Sequence, residues 1–395
     1  MEEEMVSIEG GNGREIVIVG AGVGGLATAL ALHRKGFKDV TVYERSASLR
    51  VEGTAVGMYA NGWRALDQLG VGNQLREKAI LLQGTGEFRC LKRKDLVNAL
   101  ASALPPDTIK FGYNVVAMKM NHKTMSPGLQ FDDGKVLQPE VLIGCDGSNS
   151  KVAEFLGLKP ASLFNTLGAV RGLTNYPNGH SLRPTFVRMR RHKRDGTLIG
   201  RLPITDKLLY WFVVLSRLDG NFPYDPKLVK QATLEMIKGF PAEAVEMVEM
   251  SDLESLSFTH IRYRHPWEIL VGKFQQGSVT ILGDAMHLMP PFTGQGASFA
   301  LEDAVILVRN LSNKISSLDQ SEGGQQIMSH KNIAGAFEQY VKERRIRILQ
   351  MSTQTYLIGV ILDTKSFLAK LIAIIMLLIL FRDQSKHTRY DCGKL

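Results

Sequence analysis

Cysteine is scarce in this sequence of 395 residues, which contains only Cys90, Cys145 and Cys392. These three are odd in number and far apart, and their spacing matches no metal-binding motif. We therefore expect neither a disulfide framework nor a metal site, and a reducing, cytoplasmic compartment fits best. The first residues are acidic where a signal or transit peptide would be basic, so neither leader is expected.

Long apolar runs are also missing, and the one that bears on a membrane is Leu371–Phe381. As a helix this run would cover about 16 Å, against a bilayer hydrocarbon core of about 30 Å. Three charged residues that would be costly at the bilayer centre precede it: Asp363, Lys365 and Lys370. We expect a C-terminal helix buried against the rest of the protein. The alternative is a peripheral membrane helix, with the basic residues that follow it near anionic headgroups: Arg382, Lys386 and Arg389.

The charge balance is moderately basic, since 48 Lys and Arg residues against 39 Asp and Glu residues give +9. Such a balance permits anionic ligands, nucleic acid or acidic membranes as partners and selects none of them. One basic run is conspicuous: Arg188, Arg190, Arg191, Lys193 and Arg194. It precedes an Asp-Gly turn, is typical of a solvated hairpin and has no interleaved aromatic residues, so we expect no nucleic-acid partner.

The apolar pattern predicts two folded units of different type. Short, continuous apolar runs at 15–19, 141–145 and 278–282 are typical of buried parallel strands, and a helical pattern follows each of them. Between 167 and 260, alternating and aromatic runs predict an antiparallel sheet. At roughly 100–200 residues per domain the chain should form two or three domains. The parallel unit is then discontinuous, because the β-rich unit interrupts it.

A glycine motif, Gly20-Ala-Gly22-Val-Gly24-Gly25, lies after the first strand and before the first helix. Gly20 allows the tight turn, Gly22 lets the backbone approach a pyrophosphate, and Gly25 lets helix and strand pack closely. The helix N-terminus supplies N–H donors for the phosphates. The second strand ends at Glu44, where a carboxylate is expected to bind the adenosine ribose. This acid favours FAD or NAD over NADP; the alternative is a glycine-rich turn in an ordinary α/β domain.

A second motif, Gly-Cys-Asp146-Gly, places a carboxylate at the end of a buried strand. That edge is where open α/β sheets bind ligands. The alternative is an Asp-Gly turn, with Ser150 as the cap of the next helix.

A third motif joins Gly283-Asp284-Ala-Met-His287 to a loop from Pro291 to Gly296 and then to a helix. Asp284 can accept hydrogen bonds from polyol hydroxyls at its strand end. The N–H groups before the helix can stabilise negative charge that develops on a reduced flavin. His287 is a candidate base, and a structural hydrogen-bonding role is the alternative.

In order and spacing, the three motifs resemble the aromatic-ring hydroxylase family of FAD-dependent monooxygenases, most of all its plant salicylate hydroxylase-like and zeaxanthin epoxidase-like branch. The resemblance implies an α/β fold with a discontinuous Rossmann-like FAD-binding domain, an inserted β-sheet-rich substrate domain and a C-terminal hydrophobic helix. The expected boundaries are 14–165 and 273–350 for the FAD-binding domain, 166–272 for the substrate domain and 351–395 for the helical tail.

The resemblance also implies site residues. Those expected to bind FAD are Gly20, Gly22, Gly24, Gly25, Glu44, Arg45, Arg50, Arg93, Asp146, Gly283, Asp284, Pro291, Gly294, Gln295, Gly296 and Ala297. Within this set Asp284 would contact the ribityl and pyrophosphate region, and the loop from Pro291 to Gly296 would line the isoalloxazine. Arg171, in Val-Arg-Gly-Leu, would face the substrate, and with His287 it is a candidate for a part in catalysis.

The implied activity is a monooxygenase that uses NAD(P)H and O2 to hydroxylate or epoxidise a small aromatic or otherwise electron-rich substrate through a flavin hydroperoxide. Its partners are the substrate and O2, and the assembly is a monomer or homodimer. One departure from the family pattern is a shortened segment at 81–88, where relatives carry further strands. One alternative is an FAD-dependent reductase or dehydrogenase on the same scaffold. Another is a flavoprotein that the shortened segment has left without catalytic activity.

Overall fold

The computed structural model describes residues 15–50, 55–83, 86–121, 126–182, 184–185, 190–191, 197–216, 218, 222–319, 330–383 and 386–395. The strands are β1 Ile16–Val19, β2 Val40–Glu44, β3 Ala55–Met58, β4 Arg89–Lys92, β5 Ile109–Phe111, β6 Val115–Asn121, β7 Ser126–Phe131, β8 Val136–Leu137, β9 Val141–Gly144, β10 Ser162–Asn175, β11 Arg190–Arg191, β12 Leu198–Pro203, β13 Leu208–Leu215, β14 Ser257–Tyr263, β15 Gln275–Gln276 and β16 Val279–Ile281. The helices are α1 Val23–Arg34, α2 Ala60–Gln68, α3 Gly72–Arg76, α4 Arg93–Ser102, α5 Lys151–Phe155, α6 Pro226–Met236, α7 Ala242–Glu249, α8 Pro266–Val271, α9 Asp284–His287, α10 Gly296–Asp319, α11 His330–Asp363 and α12 Phe367–Leu380.

The first sheet is mainly parallel and has the order β15-β16-β9-β1-β2-β5. Every residue of β1, β9 and β16 is buried, as is typical of parallel strands covered on both faces. In the register, Ile16 of β1 lies opposite Val40 of β2 and Val141 of β9. The carboxyl ends of β1, β2, β9 and β16 therefore meet at one edge of the sheet, and the three sequence motifs and Glu44 lie there.

The second sheet is antiparallel and has the order β11-β12-β13-β10-β14. Side chains alternate along β13: Trp211 and Val213 lie in an apolar core, while Tyr210 and Phe212 face the opposite side. The indole of Trp211 donates a hydrogen bond to Thr174 Oγ1 at 3.1 Å. This sheet is the predicted β-rich unit, and it lies between the two stretches of chain that form the parallel sheet.

The described residues of the shortened segment at 81–88 pack against neighbouring parts of the chain. The backbone N–H of Leu82 donates to the carbonyl of Phe88 at 2.9 Å, and that of Ile80 donates to Ile204 at 3.1 Å. Leu82 and Phe88 are buried with Leu202 in one apolar cluster beneath the antiparallel sheet. The described residues of this segment thus contribute to the packing beneath the antiparallel sheet, and residues 84–85 lie outside the described residues.

The C-terminal region differs from its expectation in two ways. Helix α11 runs through residue 350 without a break, so no element boundary occurs there. Most of the large apolar side chains of helix α12 are exposed, and their exposed fractions range from 38 % at Met376 to 78 % at Phe367. Ala373 is its buried residue. The expectation of a buried final helix is therefore wrong. The residues after α12 cover the core around the parallel sheet instead, because Cys392 is buried in it and Tyr390 and Leu395 pack against it.

In the described part of the chain, no helix combines the length and the apolar character that crossing a bilayer requires. The acidic start of the chain and most of the predicted arginine-rich hairpin lie outside the described residues. Within that hairpin, Arg190 and Arg191 form β11.

Candidate active site

The glycine turn after β1 combines two glycines that packing requires with one that opens onto a cavity. Gly20 has a φ of +102°, and a Cβ built there would lie 2.5 Å from the carbonyl oxygen of Cys145. A Cβ on Gly25 would lie 1.9 Å from the carbonyl oxygen of Gly20. A Cβ on Gly22 would meet no protein atom within 4 Å, and Gly22 lines the cavity. The turn therefore lets a phosphate group approach its backbone at Gly22.

Glu44 fixes this turn from the end of β2. Its Oε2 accepts a hydrogen bond from the N–H of Ala21 at 2.8 Å, and its Oε1 accepts one from the N–H of Ser46 at 2.9 Å. The carboxylate also lines the cavity. Helix α1 begins just beyond the turn with no side-chain cap and no acid in its first turn. Its N-terminus thus keeps the donors and partial charge that bind an anion.

The cavity has a volume of ≈ 1140 Å³ and extends from the glycine turn to the antiparallel sheet. Most of the predicted site residues line it: Gly20, Gly22, Gly24, Glu44, Arg45, Arg50, Arg93, Asp146, Arg171, Gly283, Asp284, Pro291, Gly294, Gly296 and Ala297. The fold thus brings together side chains from all three sequence motifs.

Asp284 and Arg93 are two charged groups of the cavity that no described residue pairs with. Neither makes a hydrogen bond or an ion pair with any described residue. Burial raises the pKa of Asp284, which is accessible from the cavity but lies deep in the protein; His287 and Arg93 act against this rise. Burial lowers the pKa of Arg93, Asp284 opposes the change, and Arg50 and Arg171 add to it. A carboxylate and a guanidinium without protein partners fit a ligand that carries hydroxyls and phosphates.

Asp146 has a local structural role as well as a place on the cavity wall. Its Oδ1 accepts from the hydroxyl of Ser150 at 2.5 Å, and its Oδ2 accepts from the N–H of Lys151 at 2.7 Å. The Oγ of Ser150 accepts from the N–H of Ala153, which makes Ser150 the cap of α5. The structure therefore supports the Asp-Gly turn and serine cap. Burial raises the pKa of Asp146.

The loop before α10 faces the cavity through its backbone. Gly294 has a φ of +64°, and a Cβ on Gly296 would meet no protein atom within 4 Å. Gln295 does not belong to this surface, because it is 1 % exposed and its Oε1 accepts from the amide of Asn61 at 2.9 Å. The side chain of Gln295, a residue that was expected to line the isoalloxazine, therefore lies behind the cavity wall. Gly25 likewise lies behind the wall, where it serves the packing of α1.

His287 does not reach the cavity. It is fully buried, and its Nε2 lies 2.6 Å from Oδ2 of Asp303, which also accepts from the N–H of Gly283 at 3.0 Å. The expectation of a base at His287 is therefore contradicted, and the structural role is supported. A position one turn into α9 directs the imidazole towards α10 and away from the ligand side.

A buried ion-pair network holds Gly283, the residue before Asp284, in place, and the sequence did not predict this network. Arg344 pairs with Oε2 of Glu302 at 2.7 Å and with Oδ1 of Asp303 at 2.6 Å, and all three side chains are fully buried. Arg347 pairs with Glu302 from the other side at 2.6 Å. Burial opposes the ionisation of Asp303, but the charge of Arg344 and the hydrogen bond of His287 outweigh it and lower its pKa to about 2. Through Asp303 the network fixes the backbone of Gly283.

The far side of the cavity is an aromatic wall, formed by Tyr59, Phe88, Tyr210 and Phe212. The rings of Tyr59 and Phe88 are stacked, with centroids 4.0 Å apart. Burial raises the pKa of Tyr59 to about 12, so its phenol is neutral near neutral pH. Arg171 lines the same region, and its Nη1 donates to Thr259 Oγ1 at 3.0 Å. The sequence predicted Arg171 here but not the aromatic wall, because its members come from three separate stretches of the chain: Tyr59 before α2, Phe88 before β4, and Tyr210 and Phe212 on β13.

Most of the chain is similar to known flavin-dependent proteins. The family model described as an FAD binding domain matches residues 92–323, and one described as an FAD dependent oxidoreductase matches residues 15–102. The chain is 45 % identical to Monooxygenase 1 of Arabidopsis thaliana, over 96 % of this chain and 99 % of that one. It is 32 % identical to Monooxygenase 2 of the same plant, over 96 % and 98 % of the two chains.

Solved structures show the same fold. The crystal structure of Klebsiella pneumoniae HpxO complexed with FAD and uric acid superimposes with a TM-score of 0.75 at 20 % identity, covering 96 % of each chain. The two family models give FAD as the cofactor, and NAD(P)H is the co-substrate. The chain belongs to the aromatic-ring hydroxylase family of FAD-dependent monooxygenases.

Proposed function

We propose that this monooxygenase acts on a small aromatic or otherwise electron-rich compound that packs against the aromatic wall. One observation carries the proposal: the cavity lined by the glycine turn is also lined by Tyr59, Phe88 and Phe212. A compound on the wall would share an enclosed space with the cofactor's reactive ring. Aromatic side chains in such a space favour flat, apolar ligands through stacked and edge-to-face contacts.

Bound FAD supplies the redox chemistry and the activation of O2. The chain's own residues hold and orient it. In this proposal the N-terminus of α1 contacts the pyrophosphate, Glu44 binds the adenosine ribose and Asp284 binds the ribityl chain. Gly296 begins α10 and lines the cavity, so this helix N-terminus would lie beside the ring, where its partial positive charge would stabilise negative charge.

The substrate side of the cavity provides water exclusion and one oriented cation. The apolar faces of the aromatic wall keep water away from the reacting atoms. Excluding water limits side reactions of activated oxygen before it reaches the substrate. Arg171 is held by Thr259 through one nitrogen, which leaves its other donors to bind a phenolic or carboxylate oxygen of the substrate. We propose that Arg171 orients the substrate and does not act as a catalytic base.

Replacing Arg171 with methionine tests this placement. Because a hydrogen bond to a charged group contributes about 1.5–3 kcal/mol, kcat/KM should fall roughly 10- to 100-fold for substrates with an acidic or phenolic oxygen. FAD content should not change. The assay is NAD(P)H oxidation by the purified protein, screened for stimulation by phenolic and carotenoid-like compounds.

Arg201→Met is the matched control, because Arg201 lies on β12 of the same sheet and pairs with Glu243 outside the cavity wall. It should leave the stimulated rate unchanged. Equal losses in both variants would remove Arg171 from the substrate site. If FAD binds but no compound stimulates NAD(P)H oxidation, the flavoprotein without catalytic activity becomes the better description. The ordered packing of Leu82 and Phe88 supports the active enzyme instead.

A further inference from the structure

Helix α12 presents an apolar surface that no described part of the protein covers. It packs on α11 along a narrow strip in which Ala373 is buried and Ala369 and Leu377 are half-buried. These three residues are spaced by four, so they form one line along the helix. Large side chains cover the rest of the circumference, among them Phe367 at 78 % exposure and Ile379 at 64 %. An apolar surface of this breadth is rare on a monomeric protein that contacts only water.

Basic residues lie at both ends of this surface and have no acidic partners. Lys365 and Lys370 are at its start, and Arg382 and Lys386 follow its end; none of the four makes an ion pair with a described residue. The nearby acids are already engaged. Asp383 pairs with Arg389. Oδ1 of Asp363 accepts hydrogen bonds from the backbone N–H of Thr166 and, at 2.6 Å, from its hydroxyl. Helix α12 thus exposes an apolar surface that has basic residues without acidic partners among the described residues at each end.

We propose that α12 is a membrane-docking helix that lies in the surface of an anionic phospholipid bilayer. Its fourteen residues cover about 21 Å, which is too short to cross a hydrocarbon core of about 30 Å. Lying flat, the helix buries its broad apolar surface at the boundary between headgroups and acyl chains. The basic residues at its two ends then contact lipid phosphates.

A second copy of the chain fits this surface less well. Two such helices, each about 21 Å long and 10–12 Å across, would cover much less than the roughly 1,200 Å² of a specific interface. A helix pair would also bury one strip on each partner and leave the remaining apolar residues in water. Whichever way the helices ran, basic ends would meet with no acid between them.

Vesicle sedimentation of the FAD-loaded protein tests the proposal. With vesicles of equal parts phosphatidylcholine and phosphatidylserine, most of the protein should sediment, and binding should weaken with phosphatidylcholine alone or at high salt. Ile375→Glu with Ile379→Glu should weaken binding at least about tenfold, because two exposed apolar anchors become charges. Leu228→Glu with Met250→Glu, which alters exposed apolar residues on α6 and after α7, should bind like the unaltered protein.

Flavin absorbance of each variant shows that it is folded, and light scattering gives its oligomeric state. Protein that stays in the supernatant with anionic vesicles would overturn the proposal, and so would equal binding by the two double variants. A dimer that Ile375→Glu with Ile379→Glu converts to monomer would also overturn it, since α12 would then be a subunit interface.

Discussion

Glu44→Ala should lower the affinity for FAD by roughly a hundredfold or more. The substitution removes the expected ribose hydrogen bond. It also leaves the N–H groups of Ala21 and Ser46 without the acceptors that hold the glycine turn. Both effects act on the same ligand, because the turn sets where the pyrophosphate lies. The measurement is titration of the apoprotein with FAD, followed by flavin fluorescence.

Two companion variants sharpen this test. Glu154→Ala removes a carboxylate from the surface of α5, where it pairs with Lys151, and should leave FAD affinity unchanged. Glu44→Gln keeps the shape and one acceptor oxygen, so its affinity should fall between those of Glu44→Ala and the unaltered protein. Retention of a full complement of FAD by Glu44→Ala after extensive dialysis would show that this carboxylate does not hold the nucleotide.

Arg344→Met should lower the melting temperature by about 5–10 °C. Removing one partner of a buried ion pair leaves uncompensated charge and costs about 3–5 kcal/mol, and each kcal/mol shifts the midpoint by about 1–2 °C in a chain of this size. Here Asp303 would lose its guanidinium partner, while Glu302 would keep Arg347; both carboxylates are fully buried. Thermal unfolding of the FAD-loaded protein, followed by circular dichroism, measures the shift.

The effect of Arg344→Met should depend on pH. In the unaltered protein the pKa of Asp303 is lowered to about 2. The stability that its ionised form contributes is therefore present above its ordinary pKa of about 3.9 and is lost as the pH falls towards about 2. Without Arg344 the buried carboxylate of Asp303 takes up a proton more readily, so the deficit in melting temperature should be smaller at about pH 5 than at about pH 7.5.

Lys342→Met is the control for Arg344→Met, because Lys342 is exposed on the same helix. It should shift the midpoint by less than about 2 °C at either pH. A deficit in Arg344→Met that is equally large at both pH values would mean that lost packing, and not uncompensated charge, destabilises the variant.

Features carried by short stretches of sequence were predictable. The strand, glycine turn and helix at 16–34 follow from one apolar run and the spacing of Gly20, Gly22 and Gly25. The sequence also predicted that Glu44 and Asp284 lie at one cavity, because parallel strands place their carboxyl ends at the same edge of a sheet. Geometry imposed by local pattern and by sheet topology can be inferred without coordinates.

Features that depend on packing between distant segments were not predictable. Glu302 and Arg344 are visible as charged residues, but 42 positions separate them, and only the crossing of α10 and α11 makes them partners. The apolar sequence of α12 is equally compatible with a buried and an exposed helix. Its exposure follows from α11 and the last ten residues, which already cover the core on which it was expected to lie. His287 was misplaced because the strand-end pattern does not tell which way α9 turns.

The most direct test of the central claim uses isotopically labelled dioxygen. With FAD-loaded protein, NAD(P)H and a compound that stimulates its oxidation, the product should carry one labelled oxygen atom, because a monooxygenase transfers one atom of O2 to its substrate. No product should form without dioxygen. Product that forms in its absence, or that contains only oxygen from water, would contradict the account and identify a reductase or dehydrogenase on this scaffold.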